Sequence, residues 1–431
     1  MKIATFKLNV TPPVGAWLAF EINKKIDTPI FIRGIIIDDG IFRTVIISCD
    51  FLYIWGQTWW DWRKAIADAV GTDENRVFLH SVHQHDSLMI TPQLNELKKE
   101  YGREFVSEAY CKKTLTELCT EIAAITSRKG GWQIVRKVMT AERRMNRLGA
   151  NRRMIDKNGK CYAMRWSMCE EESLRKLPVG IIDPMLRTIA FAGNNGRIIA
   201  ALHFYASHPM AAYGRGMVSQ DVPGVALDYV TKNFDPATLN IYLTGCGGNV
   251  TFGKYFTGNK EESLALQGNI LGKGMLANLN SLTEKPIGKL VFADAEFDFP
   301  LNPNITEAAM LKELSEIDDE SKARYIALRL IIARNWNTWR KCTVSRMSIG
   351  DAVHFLSLPG EMCVEYQLYA QSLIPEEFLA CASYGNCTYH YIPTAKMYEE
   401  GGYEPESGSI STAEVEIPLK NAIAEVLARL Q

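Results

Sequence analysis

Twice in this chain a β-branched apolar run is followed by a stretch with helical apolar spacing and then by a second apolar run. Thr44 to Ser48, Gln57 to Val70 and Arg76 to Leu79 form the first unit; Ile198 to Ala206, Val222 to Asn233 and Leu239 to Leu243 form the second. Each unit places polar residues just beyond the C-terminal end of a strand, which is where α/β proteins build their sites. Phe31 to Ile37 and Thr44 to Ser48, separated by Asp38-Asp39-Gly40, read as a hairpin. Thr306 reads as the N-cap of a charged helical stretch running to Lys341, with Glu307 in its first turn. Val353 to Leu358 and Phe378 to Ser383 return to strand character, and Ala413 to Leu430 closes the chain as an amphipathic helix. The expectation is an α/β fold of mixed β-sheets flanked by helices. It is read as a single catalytic domain over 1–431, with a helical insertion over 306–341.

Charge excludes one class of partner. With 48 Lys and Arg against 49 Asp and Glu, the net charge is -1, so no overall field holds a nucleic-acid backbone. No apolar run approaches the roughly 18 to 20 residues of a membrane helix, so no integral membrane segment is expected. Met1 to Lys7 has no apolar core of a signal peptide. This predicts a cytoplasmic protein, or a secreted or periplasmic one from which a leader has been removed. Ten cysteines without a C-x-x-C pair read as mostly reduced and buried. The oligomeric state is not legible.

Chemistry concentrates in the histidines. Of seven, His80, His83 and His85 form one cluster and His203 and His208 another. On a continued strand His83 and His85 would project the same way and His80 oppositely, giving either a two-pronged site or two polar residues at a solvated strand end. His208 precedes Pro209, which restricts it to extended conformations at a strand exit and suits a metal ligand. His203 reads as a satisfied core histidine. Asp221 is a candidate for orienting one of the histidine rings. The loop Gly245-Cys246-Gly247-Gly248-Asn249 tolerates close approach to a ligand, so its backbone N–H groups could line an oxyanion hole, or it is a plain glycine turn. Glu361, after Pro359-Gly360, is a candidate ligand or general base or a solvated helix-start residue. Tyr384 to Tyr403 holds five tyrosines.

In order along the chain these segments resemble the catalytic domain of the neutral/alkaline ceramidase family. Val10-Thr11-Pro12-Pro13-Val14-Gly15 resembles its start, and His83-Gln84-His85 its H-T-H-S-G-P segment, with Asp86-Ser87-Leu88 in place of the last three. Asn146-Arg147-Leu148 resembles Asn-Arg-Ser, and Ile182 to Leu186 loosely follows V-D-x-x-M-x-x-L. His208-Pro209, Ser219 to Gly224 and Pro359-Gly360-Glu361 match H-P, S-x-D-x-x-G and P-G-E. Tyr391-Ile392-Pro393-Thr394, Tyr398, Tyr403 and Glu404 follow the family's tyrosine-rich stretch without a gap. Gly248-Asn249-Val250-Thr251 stands where the family has G-D-x-S, so Thr251 replaces its serine. No immunoglobulin-like C-terminal domain is expected.

The resemblance implies a zinc-dependent hydrolase of an N-acyl amide bond with a metal-bound water as nucleophile. The implied zinc ligands are His83, His208, Glu361 and Tyr391. His85, Arg147 and Tyr403 would face the substrate, His85 moving a proton to the leaving amine; Gly247, Gly248 and Asn249, with Thr251 or Tyr403, would stabilise the oxyanion. The implied partner is a small N-acyl amide or a lipid-like substrate, a smaller and more soluble one being preferred over long-chain ceramide. Two other readings are a hydrolase using Cys246 as nucleophile and a non-catalytic zinc- or lipid-binding module.

Overall fold

In the computed structural model, residues 1–97, 106–317 and 320–428 are described. The Asp38-Asp39-Gly40 turn forms because its carboxylates take over the backbone donors. Asp38 accepts from Gly40 N at 2.8 Å and Asp39 from Ile41 N and Phe42 N at 2.8 Å each. The strands Phe31–Asp38 and Arg43–Cys49 therefore pair antiparallel.

Three sheets follow, and each has a parallel pair at one end of its order. The first runs Val77–Ser81, Arg43–Cys49, Phe31–Asp38, Lys2–Asn9, Gln133–Ile134. The second runs Leu239–Thr244, Ile198–Tyr205, Met185–Ala192, Lys137–Arg144, Thr283–Lys285. The third runs Leu290–Asp298, Lys341–Ile349, Val353–Ser357, Phe378–Ala382. The parallel pairs are Arg43–Cys49 with Val77–Ser81, Ile198–Tyr205 with Leu239–Thr244, and Val353–Ser357 with Phe378–Ala382. Their apolar runs are buried almost without a break, as strands covered on both faces require.

One core joins the sheets: Ile35, Ile46 and Phe78 of the first meet Phe191, Leu202 and Ile241 of the second and Met347 and Phe355 of the third. The helices Gln57–Val70 and Glu108–Ser127 cover the other face of the first sheet. The expected 306–341 stretch is two helices, Glu307–Ser315, whose N-cap Thr306 accepts from Ala309 N at 3.2 Å, and Glu320–Trp339; residues 318–319 lie outside the described residues. The closing helix spans Glu416–Ala428; 429–430 of the predicted helix lie outside the described residues. No described helix is long and apolar enough to cross a membrane.

The C-terminal ends of the parallel strands are tied to one another. Thr244 Oγ1 donates to Val82 O at 2.7 Å, Ser383 N to Thr244 O at 2.9 Å, and Ser81 N to Tyr384 O at 3.0 Å. His80, the outlying histidine of the first cluster, lies in this seam, with Nδ1 2.8 Å from Ser383 O and Nε2 3.0 Å from Ser357 Oγ. His203 is a core residue as expected, between Thr188 and Asn240. Residues that leave these strand ends are thereby delivered to one place.

Candidate metal centre

The strand that carries the first cluster stops at Ser81, short of both His83 and His85, and His83 adopts φ 75°. Parity is therefore not what aims the pair. The turn sets the His83 and His85 ring centroids 5.0 Å apart and nearly perpendicular. His208 leaves Ile198–Tyr205 and reaches the same point, its ring 5.1 Å from His83. Ligand atoms of His83, His85 and His208 all lie within 4.8 Å of one another, a group that can hold a metal.

Each inner ring has its tautomer fixed. His83 Nδ1 is 3.0 Å from Leu52 O and His208 Nδ1 is 2.7 Å from Gly247 O. A carbonyl only accepts, so both Nδ1 atoms carry the proton and both Nε2 atoms present lone pairs. Those lone pairs face Glu361 Oε2 at 3.1 Å and 3.2 Å. Tyr53 O–H donates to the other carboxylate oxygen at 2.5 Å, holding the glutamate in place. Tyr391 OH lies 2.9 Å from His208 Nε2.

The electrostatics leave this cluster short of positive charge. Burial pushes the His208 pKa down to about 4, so the ring is neutral at neutral pH. Burial disfavours a charged Glu361, and only a proton on the Nε2 of His83 or His208 would outweigh this and hold its carboxyl well below the usual range. Burial drives the Tyr391 phenol well above 10, opposed by the Arg152 guanidinium stacked 5.2 Å over its ring. His83 Nε2 and Glu361 Oε2 are buried acceptors with no hydrogen-bond donor among the described residues. Each such atom costs about 1–3 kcal/mol if left so. A divalent cation bound by nitrogen and oxygen at about 2.0 Å in a tetrahedron separates its ligands by roughly 3.3 Å, and the observed spacing matches that. The residues fit a metal ion.

The glycine loop serves the centre by close approach. A Cβ on Gly247 would lie 2.6 Å from Ser207 C, and one on Gly248 2.6 Å from Glu361 O. Only glycines let this loop pass between the two ligand-bearing segments. Its polar groups, however, are committed elsewhere. Gly248 N–H donates to Met362 O at 2.8 Å; Asn249 donates to Glu365 and accepts from Val364 N; Thr251 Oγ1 donates to Arg165 O at 3.0 Å. The expected oxyanion role of Gly248, Asn249 and Thr251 thus meets partners already in place. Cys246 is fully buried, and burial raises its thiol pKa well above 9, which removes the ground for a thiolate nucleophile. Asp221 orients no histidine; it accepts from Ala211 N and Ala212 N in the loop after His208-Pro209.

The structure places two arginines differently about the site. Arg147 is exposed on the turn after Lys137–Arg144, whereas Arg152 is buried against Tyr391 and Tyr403, 5.2 and 5.4 Å from their ring centroids. A second Asn-Arg pair, at 151–152, follows the one at 146–147 by five residues. Glu404 positions Arg152, accepting from its Nε at 2.7 Å while taking Arg153 Nη1 at 2.6 Å. The buried Arg152 Nη2 makes no hydrogen bond among the described residues. Tyr53 and Tyr384, the latter stacked 4.4 Å from His83, were also missed. His85 is only half-buried, flanked by the rings of Phe20 and Tyr213 at 5.6 Å each, and its Nδ1 has no partner. It forms the mouth of the site. Tyr403 stands edge-on to Tyr391 at 5.4 Å.

No family model matches this chain, and no curated protein matches its sequence. Solved structures do share its fold. One is described as neutral ceramidase from Pseudomonas aeruginosa, at a TM-score of 0.71 and 15% identity, with 99% of this chain and 74% of that one covered. Another is described as a ceramidase complexed with C2, at 0.73 and 15% identity, covering 100% and 75%. The chain has the fold of the ceramidase catalytic domain.

Proposed function

We propose that this chain is a zinc-dependent hydrolase of N-acyl amides. The observation that carries the proposal is the convergence of His83 Nε2, His208 Nε2 and Glu361 Oε2, with Tyr391 OH beside them, in a buried cluster where His83 Nε2 and Glu361 Oε2 have no hydrogen-bond donor among the described residues. The likeness to ceramidases in fold, and the family motifs that contribute these residues, support the amide as the bond attacked.

His83, His208, Glu361 and Tyr391 would hold the ion. When bound, zinc supplies Lewis acidity, polarising an acyl carbonyl and bringing water toward ionisation near neutral pH. The remaining work belongs to the chain. Leu52 O, Gly247 O and Tyr53 OH keep the ligand rings and carboxylate fixed. Arg152 Nη2 donates to the oxygen on which negative charge develops, and the Glu404 carboxylate fixes that guanidinium. Desolvation at the site holds the His85 pKa well below its ordinary value, so it starts as a base. It takes the proton of the attacking water and delivers it to the departing amine nitrogen.

The test is a panel of N-acyl amides of graded acyl length, assayed with zinc-loaded protein beside His208→Ala. Turnover of at least one amide by the wild type and its loss in the variant are expected, with short, soluble amides preferred. No amide hydrolysis by a zinc-loaded, folded wild type would overturn the proposal. Efficient turnover confined to long-chain ceramide would overturn the preference.

A further inference from the structure

Away from the metal centre, a cleft of about 580 Å³ opens between the first sheet and the helix Asp221–Asn233. It lies on the face of the first sheet that elsewhere packs on the second. Ile3 and Ile35 on that face belong to the joint core, but further along the same strands the face carries Thr5, Lys7 and Arg33. Asn240, near the start of Leu239–Thr244, lines the opposite wall. The apolar contact gives way to a polar space.

Two cations face each other there. Lys7 and Arg33 are direct cross-strand partners, an arrangement that costs stability when the charges are alike. Both stack on Phe31, with Lys7 Nζ 4.0 Å and Arg33 Cζ 4.9 Å from the ring centroid. Asp50 offsets one charge, accepting twice from Arg33 Nη1 at 3.0 and 2.8 Å. Its Oδ2 is also taken by Gln220 Nε2. The Lys7 ammonium makes no hydrogen bond or ion pair among the described residues, and neither do Arg33 Nε and Nη2. The other acid at the rim, Asp228, is engaged by Lys232 at 2.5 Å. One uncompensated positive charge, with unspent N–H donors beside it, is therefore built into the wall of a cleft large enough for a small metabolite.

We propose that this cleft binds the oxyanion group of a small organic molecule, a phosphate monoester or a carboxylate, between Lys7 and the free edge of Arg33. A divalent oxyanion accepts from both cations at once and relieves their mutual repulsion. The site is independent of the metal centre.

Calorimetric titration of the full chain, stripped of metal so that no anion can bind there, tests this with ribose 5-phosphate, succinate and inorganic phosphate. Saturable binding of ribose 5-phosphate or succinate at millimolar or lower concentration is expected, and which of them binds identifies the oxyanion. Lys7→Ala should weaken it at least about tenfold, the scale of one charge-assisted hydrogen bond, and Lys7→Glu should abolish it. Lys7 is exposed at the cleft, so both variants should fold, which their thermal unfolding checks. Lys157→Ala, on an exposed turn, should bind as wild type does. No heat or shift with any of the three anions would overturn the proposal, as would binding that is indifferent to Lys7→Glu.

Discussion

Glu361→Gln separates a metal centre from a buried ion pair, because the two readings predict opposite signs. Glu361 Oε2 faces two imidazole lone pairs at 3.1 and 3.2 Å. A glutamine keeps an oxygen for Tyr53 O–H and turns its NH₂ toward His83 and His208, giving His83 Nε2 the donor it lacks. Relieving one unsatisfied buried acceptor is worth about 1–3 kcal/mol. The metal-free variant should therefore unfold at the same temperature as wild type or higher. With zinc the order reverses. A ligand at 100 times its Kd stabilises by about 2.7 kcal/mol, so an affinity loss of 100-fold or more removes most of the zinc-induced shift. Differential scanning calorimetry on chelator-treated and zinc-loaded samples measures both. If instead the histidines were cationic and Glu361 their counter-ion, the metal-free variant would lose about 3–5 kcal/mol. That result would refute the reasoning.

Four further outcomes follow from the site. Arg152→Lys keeps a cation beside Glu404 but loses the fork, so kcat should fall about 10²- to 10³-fold at unchanged zinc content, while Arg147→Ala should leave kcat and stability nearly unchanged. Iodoacetamide should leave Cys246 unmodified and the activity intact in the native protein, as peptide mass mapping would report. Thr251→Ala removes a hydrogen bond to Arg165 O and should cost about 1 kcal/mol of stability in denaturant unfolding without abolishing turnover; a trapped acyl group on Thr251 would contradict this. Burial alone would raise the Glu404 pKa, but Arg152 and Arg153 hold it below 4.5. Its contribution is thus fully present above about pH 4.5 and is lost as pH falls through the folded value; Glu404→Gln should flatten that acid limb of the stability profile.

Much of this was legible because the constraints were local. The Asp38-Asp39-Gly40 turn, the Gln57–Val70 helix and the Thr306 cap are fixed by residues within a few positions of each other, and all three appear as read. His83, His208, Glu361 and Tyr391 were each marked by a strand exit or a family motif, and the tied strand ends explain why they meet. What escaped depended on distance in sequence. Tyr53 is selected by a carboxylate 308 residues away, and nothing near it announces that contact. The choice between Arg147 and Arg152 turns on which of them faces Glu404, a pairing 252 residues apart. The glycine loop was flagged for its glycines, yet what they permit is passage between Ser207 and Glu361 rather than a row of free N–H groups.

The most direct test of the metal centre is an anomalous difference map at the zinc edge from crystals of wild-type protein prepared without chelators. One peak per chain is predicted, about 2.0–2.2 Å from His83 Nε2, His208 Nε2, a Glu361 oxygen and the Tyr391 oxygen. No peak after zinc loading, or a peak held by His83, His85 and His208 with Glu361 and Tyr391 turned away, would contradict it.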